Sequence, residues 1–138
     1  MVGTILLSGS DGFTGLHLTE LARSQGYRVH YLQSDITDID ALNSELAALA
    51  FDFVVHLAGI SAVTHDDVQE LYRVNLFGTL NLLSAVAASG QSPEKVLIAS
   101  SANVYGDRAA SPIKEDQCPN PVNHYAMSKL AMEQMARA

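Results

Sequence analysis

The chain has 138 residues, 48% of them apolar and 17% charged, which is enough for one domain with a sizeable core. Fifteen acidic residues against eight basic ones give a net charge of −7, which argues against nucleic acid as a partner, because a phosphate backbone is gripped by clustered Lys and Arg. No apolar stretch approaches the length of a membrane span. The short "MVGTILLSG" start lacks the basic leader of a signal peptide, and the lone Cys118 cannot close an internal disulfide, so a cytoplasmic location is expected.

The hydrophobic period switches repeatedly along the chain. Residues Thr4 to Leu7 form an apolar run that reads as a buried strand and ends at Gly9. "GLHLTELARSQG" has helical spacing through Leu16, Leu18, Leu21 and Ala22, with Gly26 as its stop. "YRVHYL" alternates and predicts a second strand. "DIDALNSELAALA" puts Leu42, Leu46 and Leu49 on one helical face behind Asp38 as N-cap. "FDFVVHLAG" is a third strand, and residues 66–90 predict one long helix with acids at its start and Gly90 past its end. "KVLIAS" is a fourth strand. A polar loop carrying Pro112, Pro119 and Pro121 follows, and then a helix from about Asn123 onward. Apolar strands alternating with helices predict an α/β fold: a Rossmann-type, doubly wound parallel sheet with both faces covered.

The first strand runs into "GSDGFTG", with glycines at 9, 12 and 15. Such a turn lets the backbone approach a pyrophosphate and presents the free N–H groups of the next helix to it. The spacing is GxxGxxG rather than GxGxxG, and no Lys-Ser or Lys-Thr follows, so an ATP-type loop is excluded. A dinucleotide site needs a second contact about 20 residues on. Counting from Gly15 reaches Asp35, which suits the ribose or the adenine edge; the competing reading is a turn or capping acid. The tip of the second strand is the neutral Gln33, and no Arg or Lys lies between Arg28 and Arg73 to receive a 2′-phosphate. His56 reads as a core histidine, since no second metal ligand stands at a suitable spacing, and no metal site is expected.

Near the other end stands "YAMSK", with Tyr125 and Lys129 one helical turn apart. The motif alone occurs by chance in roughly one chain in four of this length. Its company raises it: Ser100 and Ser101 follow the fourth strand, at the carboxyl edge where open α/β sheets bind ligands. A phenol is a poor base at neutral pH, and an ammonium one turn away favours its phenolate. A serine hydroxyl can hold a reacting oxygen in line. Together they suit acid–base catalysis coupled to hydride transfer.

With "GSDGFTG", "DITD", "HLAG", "NLFGT", "SSANVYG" and "YAMSK" in order from Gly9 to Lys129, the chain resembles the extended short-chain dehydrogenases/reductases of the NAD-dependent epimerase/dehydratase family. The resemblance implies a cofactor, NAD or NADP, held by Gly9, Ser10, Asp11, Gly12, Phe13, Thr14 and Gly15, with Asp35 and Ile36 at the adenosine end. It implies that Leu57, Ala58 and Gly59 line the cofactor with backbone, that Ser100 lies near the nicotinamide, and that Asn75 braces the site. It implies Tyr125 as acid/base, Lys129 as ribose contact that tunes it, and Ser101 as the hydroxyl that positions substrate. The substrate implied is a nucleotide sugar. The triplet Ser101-Ala102-Asn103 lacks the carboxylates that sugar dehydration needs, which leaves reduction or epimerisation. The short connection between "YRVHYL" and "DITD" resembles the nucleotide-diphospho-4-keto-6-deoxy-sugar reductases, of the GDP-6-deoxy-mannose reductase type. A 4-epimerase is the alternative, and a non-catalytic dinucleotide-binding sensor a further one. The helices from Asp67 and from Asn123 are where such enzymes often form homodimers.

Four strands are readable where a doubly wound dinucleotide fold commonly has six. No segment suits a substrate lobe. Residues 1–138 are therefore expected to be the dinucleotide-binding domain, an N-terminal fragment of a longer enzyme that lacks the sugar lobe and is inactive alone.

Overall fold

The computed structural model describes residues 2–63, 65–107 and 111–138. Four parallel strands form one sheet in the order β2-β1-β3-β4: β1 (Thr4–Ser8), β2 (Arg28–Tyr31), β3 (Phe53–His56) and β4 (Lys95–Ile98). The register pairs Leu6 with His30 on one side of β1 and with Val54 on the other. Between the strands run α1 (Phe13–Ser24), α2 (Ile39–Ala47), α3 (Val68–Tyr72) and α4 (Thr79–Ala88), and α5 (His124–Arg137) follows. The predicted strands stand, and so do the helices apart from the long one over 66–90, each within a few residues of its expected bounds.

The chain divides into two compact units. Met1–Gly59 with Asn81–Ala99 make the first. Its sheet has two unlike faces. On one, Leu6 and Val54 pack with Leu42 and Leu46 of α2 and with Leu82, Ala85 and Val86 of α4, a core sealed from water. On the other, Ile5, Leu7 and Val55 meet Leu18 and Ala22 of α1, the one helix in that cluster among the described residues. There Leu97 of β4 is 49% exposed, and an apolar cavity of about 170 Å³ opens beside Ile5, Tyr27, Phe53 and Leu97. The ends of α1 and α2 follow the expected chemistry. Gly26 turns the chain at φ +86°, and Asp38 accepts a hydrogen bond from the Ala41 amide at 3.0 Å.

Ile60–Leu80 and Ser100–Ala138 make the second unit. Here α5 packs against α3, against a π-helical turn at Arg73–Gly78, and against a 3₁₀ turn at Ala102–Tyr105. The long helix expected over 66–90 is thus interrupted. Five α-helical residues lead into six π-helical ones before α-geometry resumes at Thr79. Such bulges cluster at functional sites, and this one holds Asn75.

The strand order has a sequence cause. A dinucleotide fold of six strands runs 3-2-1-4-5-6, but the short connection after β2 leaves no room for a strand beyond it. The chain goes from β2 through α2 straight to the far side of β1. The switch point of the sheet therefore falls between β1 and β3. That order is also found in flavodoxin-like sheets.

Candidate active site

The first unit carries the glycine turn. After β1, the Gly12 amide closes a tight turn onto the Gly9 carbonyl at 3.3 Å. Gly9 sits at φ +72°, and a Cβ there would lie 2.6 Å from the Ala58 nitrogen. A Cβ on Gly15 would lie 2.2 Å from the Gly9 carbonyl oxygen. Glycine is required at both by contact of backbone with backbone. Helix α1 starts at Gly12 with no side chain capping it and no acid in its first turn. Its amides and dipole are left to an external anion, which is what a pyrophosphate requires. Asp11 is exposed, as are Phe13 and Thr14. The turn therefore fits a dinucleotide by backbone alone.

Beneath it lies a pair the sequence did not reveal. The Ser8 hydroxyl is 2.6 Å from His56 Nδ1, and both side chains are buried. Ser8 Oγ also accepts from the amides of Leu57 and Ala58, each at 3.2 Å. The "HLAG" backbone is thereby latched to the end of β1. His56 is the core histidine expected, with its partner now identified. Asp35 uses Oδ1 to accept from the Thr37 amide and hydroxyl, both at 2.8 Å, an Asx turn that leaves the side chain exposed. Ile36 beside it is buried, and its carbonyl accepts from Asn81 Nδ2 at 3.2 Å.

The second unit carries the residues expected to be catalytic. Asn123 caps α5 by accepting from the Ala126 amide at 2.8 Å. Tyr125 and Lys129, one turn apart, are 7% and 6% exposed. Burial pushes the Lys129 ammonium below its ordinary value of 10.5. Ser101 opens the 3₁₀ turn that packs on α5, and its Oγ accepts from the Asn103 amide at 3.2 Å. A hydroxyl that accepts one bond still has a hydrogen to donate.

Asn75, on the π-helical turn, ties this unit together. Its Oδ1 accepts from the Ile60 amide at 2.8 Å, while Nδ2 donates to the Ile60 carbonyl at 3.1 Å and to Ser128 Oγ at 3.0 Å. Ser128 in turn donates to the Tyr125 carbonyl at 2.7 Å. A single buried amide thus ties a loop to the helix that carries Tyr125 and Lys129. Two residues escaped the sequence reading here. Ser128 was hidden inside "YAMSK", and Glu133 accepts a short hydrogen bond from Ser100 Oγ. The spacing 125, 129, 133 was the available signal for Glu133, since it continues one face of α5. His124 is exposed, with Nδ1 3.3 Å from the Tyr72 hydroxyl. No cluster of metal ligands occurs among the described residues.

Residues 5–138 match the model of the NAD dependent epimerase/dehydratase family. The chain is 37% identical, over 98% of its length, to GDP-6-deoxy-D-mannose reductase of Pseudomonas aeruginosa, of which it covers 46%. Among solved structures it resembles RMD from Pseudomonas aeruginosa complexed with NADPH, with TM-score 0.85, 36% identity, and coverage of 97% of this chain and 48% of that one. It also resembles UDP-glucose 4-epimerase from Brucella ovis in complex with NAD, with TM-score 0.87, 29% identity, and coverage of 97% and 46%. The chain spans about half the length of the curated relatives it matches.

Proposed function

Because the chain belongs to the NAD dependent epimerase/dehydratase family, we propose that it is the cofactor-binding part of an oxidoreductase that reduces the 4-keto group of a nucleotide-linked 6-deoxy sugar. The turn from Gly9 to Gly15 grips the pyrophosphate of NAD or NADP, Asp35 and Ile36 flank the adenosine, and Leu57, Ala58 and Gly59 line the cofactor through backbone. Ser100 and Asn75 serve the nicotinamide end. A reduced dinucleotide supplies the hydride when bound. Tyr125 gives the proton that the sugar oxygen takes up, Ser101 holds that oxygen in line, and Lys129 contacts the ribose and favours the phenolate left behind.

The observation that carries this reading is the buried Tyr125–Lys129 pair on a helix packed against the turn that Ser101 begins. Ser101-Ala102-Asn103 supplies no carboxylate for dehydration. The similarity to a GDP-6-deoxy-D-mannose reductase supports reduction. Sugar recognition is proposed to lie outside these 138 residues, since the relatives are about twice as long. Phe77, Leu80, Val68 and Met127 are exposed on the second unit, an apolar surface that supports a homodimer of the longer protein.

The test is a panel of nucleotide-linked 4-keto-6-deoxy hexoses offered to the longer protein with NADH or NADPH, followed by the loss of reduced-nicotinamide absorbance. Turnover on that panel supports the reading. Interconversion of UDP-glucose and UDP-galactose without net oxidation makes the enzyme an epimerase instead, as the similarity to UDP-glucose 4-epimerase would favour. Dinucleotide binding without any turnover makes it a sensor.

A further inference from the structure

The tip of β2 is where dinucleotide folds read the adenosine ribose, accepting its 2′-hydroxyl with an acid or its 2′-phosphate with a cation. In this chain the tip holds a different arrangement. The consecutive amides of Gln33 and Ser34 converge on one carboxylate, and converging backbone N–H groups of this kind form a concavity suited to an anion. The carboxylate is internal: Glu45, from the last turn of α2. Its Oε2 lies 2.8 Å from the Ser34 nitrogen and 2.6 Å from the Ser34 hydroxyl, while Oε1 lies 3.0 Å from the Gln33 nitrogen. His30 Nε2 stands 3.6 Å from Oε1. Burial raises the Glu45 pKa, but the hydrogen bonds from Ser34 and Gln33, with His30 close by, outweigh it and leave it below the usual value, so the group is an anion at neutral pH.

Among the described residues His30 is the one basic side chain against Glu45, and no Lys or Arg pairs with it. The Gln33 side chain folds back, its Nε2 donating to the Tyr31 carbonyl at 3.0 Å. Asp35 adds a second, exposed acid two residues on. No Lys or Arg occurs from residue 29 to residue 72. A 2′-phosphate at this tip meets two like charges and amides that are already occupied. A 2′-hydroxyl meets carboxylates that can accept from it.

We propose that Glu45 is a specificity-determining residue that fills the anion concavity at the tip of β2 and so selects NAD over NADP. This rests on the dinucleotide reading above. The sequence hides the role, because Glu45 sits 12 residues from Gln33 on the face of a helix whose apolar stripe reads as packing.

The experiment is calorimetry of the longer protein with NAD and with NADP at fixed ionic strength, before and after Glu45→Gln. Gln removes the charge and keeps one of the two acceptor oxygens, and thermal melts verify that the variant folds. Wild type should bind NAD at least ~10-fold tighter than NADP, a difference of about 1.4 kcal/mol. Glu45→Gln should narrow that ratio by ~10-fold, chiefly by tightening NADP. Should Glu45→Gln not fold, Glu45→Asp withdraws the charge by one methylene and should narrow the ratio by at least ~3-fold. A wild type that binds NADP as tightly as NAD, or a ratio unchanged in a folded variant, overturns the role of Glu45 while leaving dinucleotide binding intact. Binding of neither cofactor to wild type overturns both.

Discussion

The glycine turn and the buried face of α5 belong to different units and work by opposite means. At the turn, backbone does everything. Gly9 and Gly15 serve by having no side chain, α1 presents bare amides, and the side chains of Asp11, Phe13 and Thr14 stand exposed. On α5, side chains do everything. Tyr125, Ser128 and Lys129 are buried on an ordinary helix whose backbone any good helix former would sustain. The turn should therefore be intolerant of added volume and indifferent to chemistry. The helix face should tolerate isosteric change in its fold and be intolerant of it in function.

Four substitutions break or sharpen that contrast. The largest effect is expected from Tyr125→Phe, which removes one oxygen from a residue that packs mostly through its ring. In the longer protein, turnover on a 4-keto sugar should fall by ~10²-fold or more, the scale of a lost general acid, with cofactor affinity and melting temperature nearly unchanged. Near-normal turnover would remove Tyr125 from the chemistry. Next comes Gly15→Ala, which is chemically trivial. Its methyl meets the Gly9 carbonyl at 2.2 Å, where neither atom belongs to a flexible side chain. Overpacking of this kind costs about 1–3 kcal/mol, so denaturant midpoints should drop and dinucleotide binding should weaken with them. Binding that survives a normal melt would mean the turn is looser than its contacts imply.

Asn75→Ala should cost about 1–3 kcal/mol, since it leaves the Ile60 amide and carbonyl and Ser128 Oγ without the side chain that now joins them. Hydrogen exchange should speed up at Ile60 and along the first turns of α5. The smallest effect is a slope. Lys129 has its pKa depressed below 10.5 by burial, so between the folded value and 10.5 the unfolded chain binds more protons. Stability contributed by this group is lost as pH falls through the folded value and is regained as pH rises toward 10.5. Lys129→Met should flatten unfolding free energy across that alkaline window relative to wild type. An unchanged slope would mean that the ammonium keeps its hydration.

The same contrast explains what could be read from the residues in order. Strands and helices showed in the apolar periods of Leu6, Val54, Leu42 and Leu46, because burial on one face is a local pattern. Gly9, Gly15, Tyr125 and Lys129 showed because turns and one-turn spacings are local too. The π-helical turn did not show: the apolar residues of 66–90 fit an uninterrupted helix, and only the Asn75 bonds to Ile60 and Ser128, 15 and 53 residues away, reveal why it bulges. Glu45, Glu133 and the Ser8–His56 pair were hidden for the same reason, as their partners lie from 11 to 48 residues distant. Four readable strands out of the usual six did not show that the sheet face around Leu97 is exposed.

The Ser8–His56 pair fixes the position of a hydrogen atom. A serine oxygen has two lone pairs and one hydrogen. The Ala58 amide takes one lone pair of Ser8 Oγ, and the Leu57 amide is shared between that oxygen and the Ser8 carbonyl, each at 3.2 Å. That arrangement leaves the Ser8 hydrogen for His56 Nδ1 and favours the tautomer that carries the imidazole proton on Nε2. Nitrogen-15 spectra of ring-labelled protein should show a pyridine-like Nδ1 and a pyrrole-like Nε2 at neutral pH. Adding a second proton would set N–H against O–H at 2.6 Å, and the arrangement can absorb it only if Ser8 turns away and releases an amide of the "HLAG" loop.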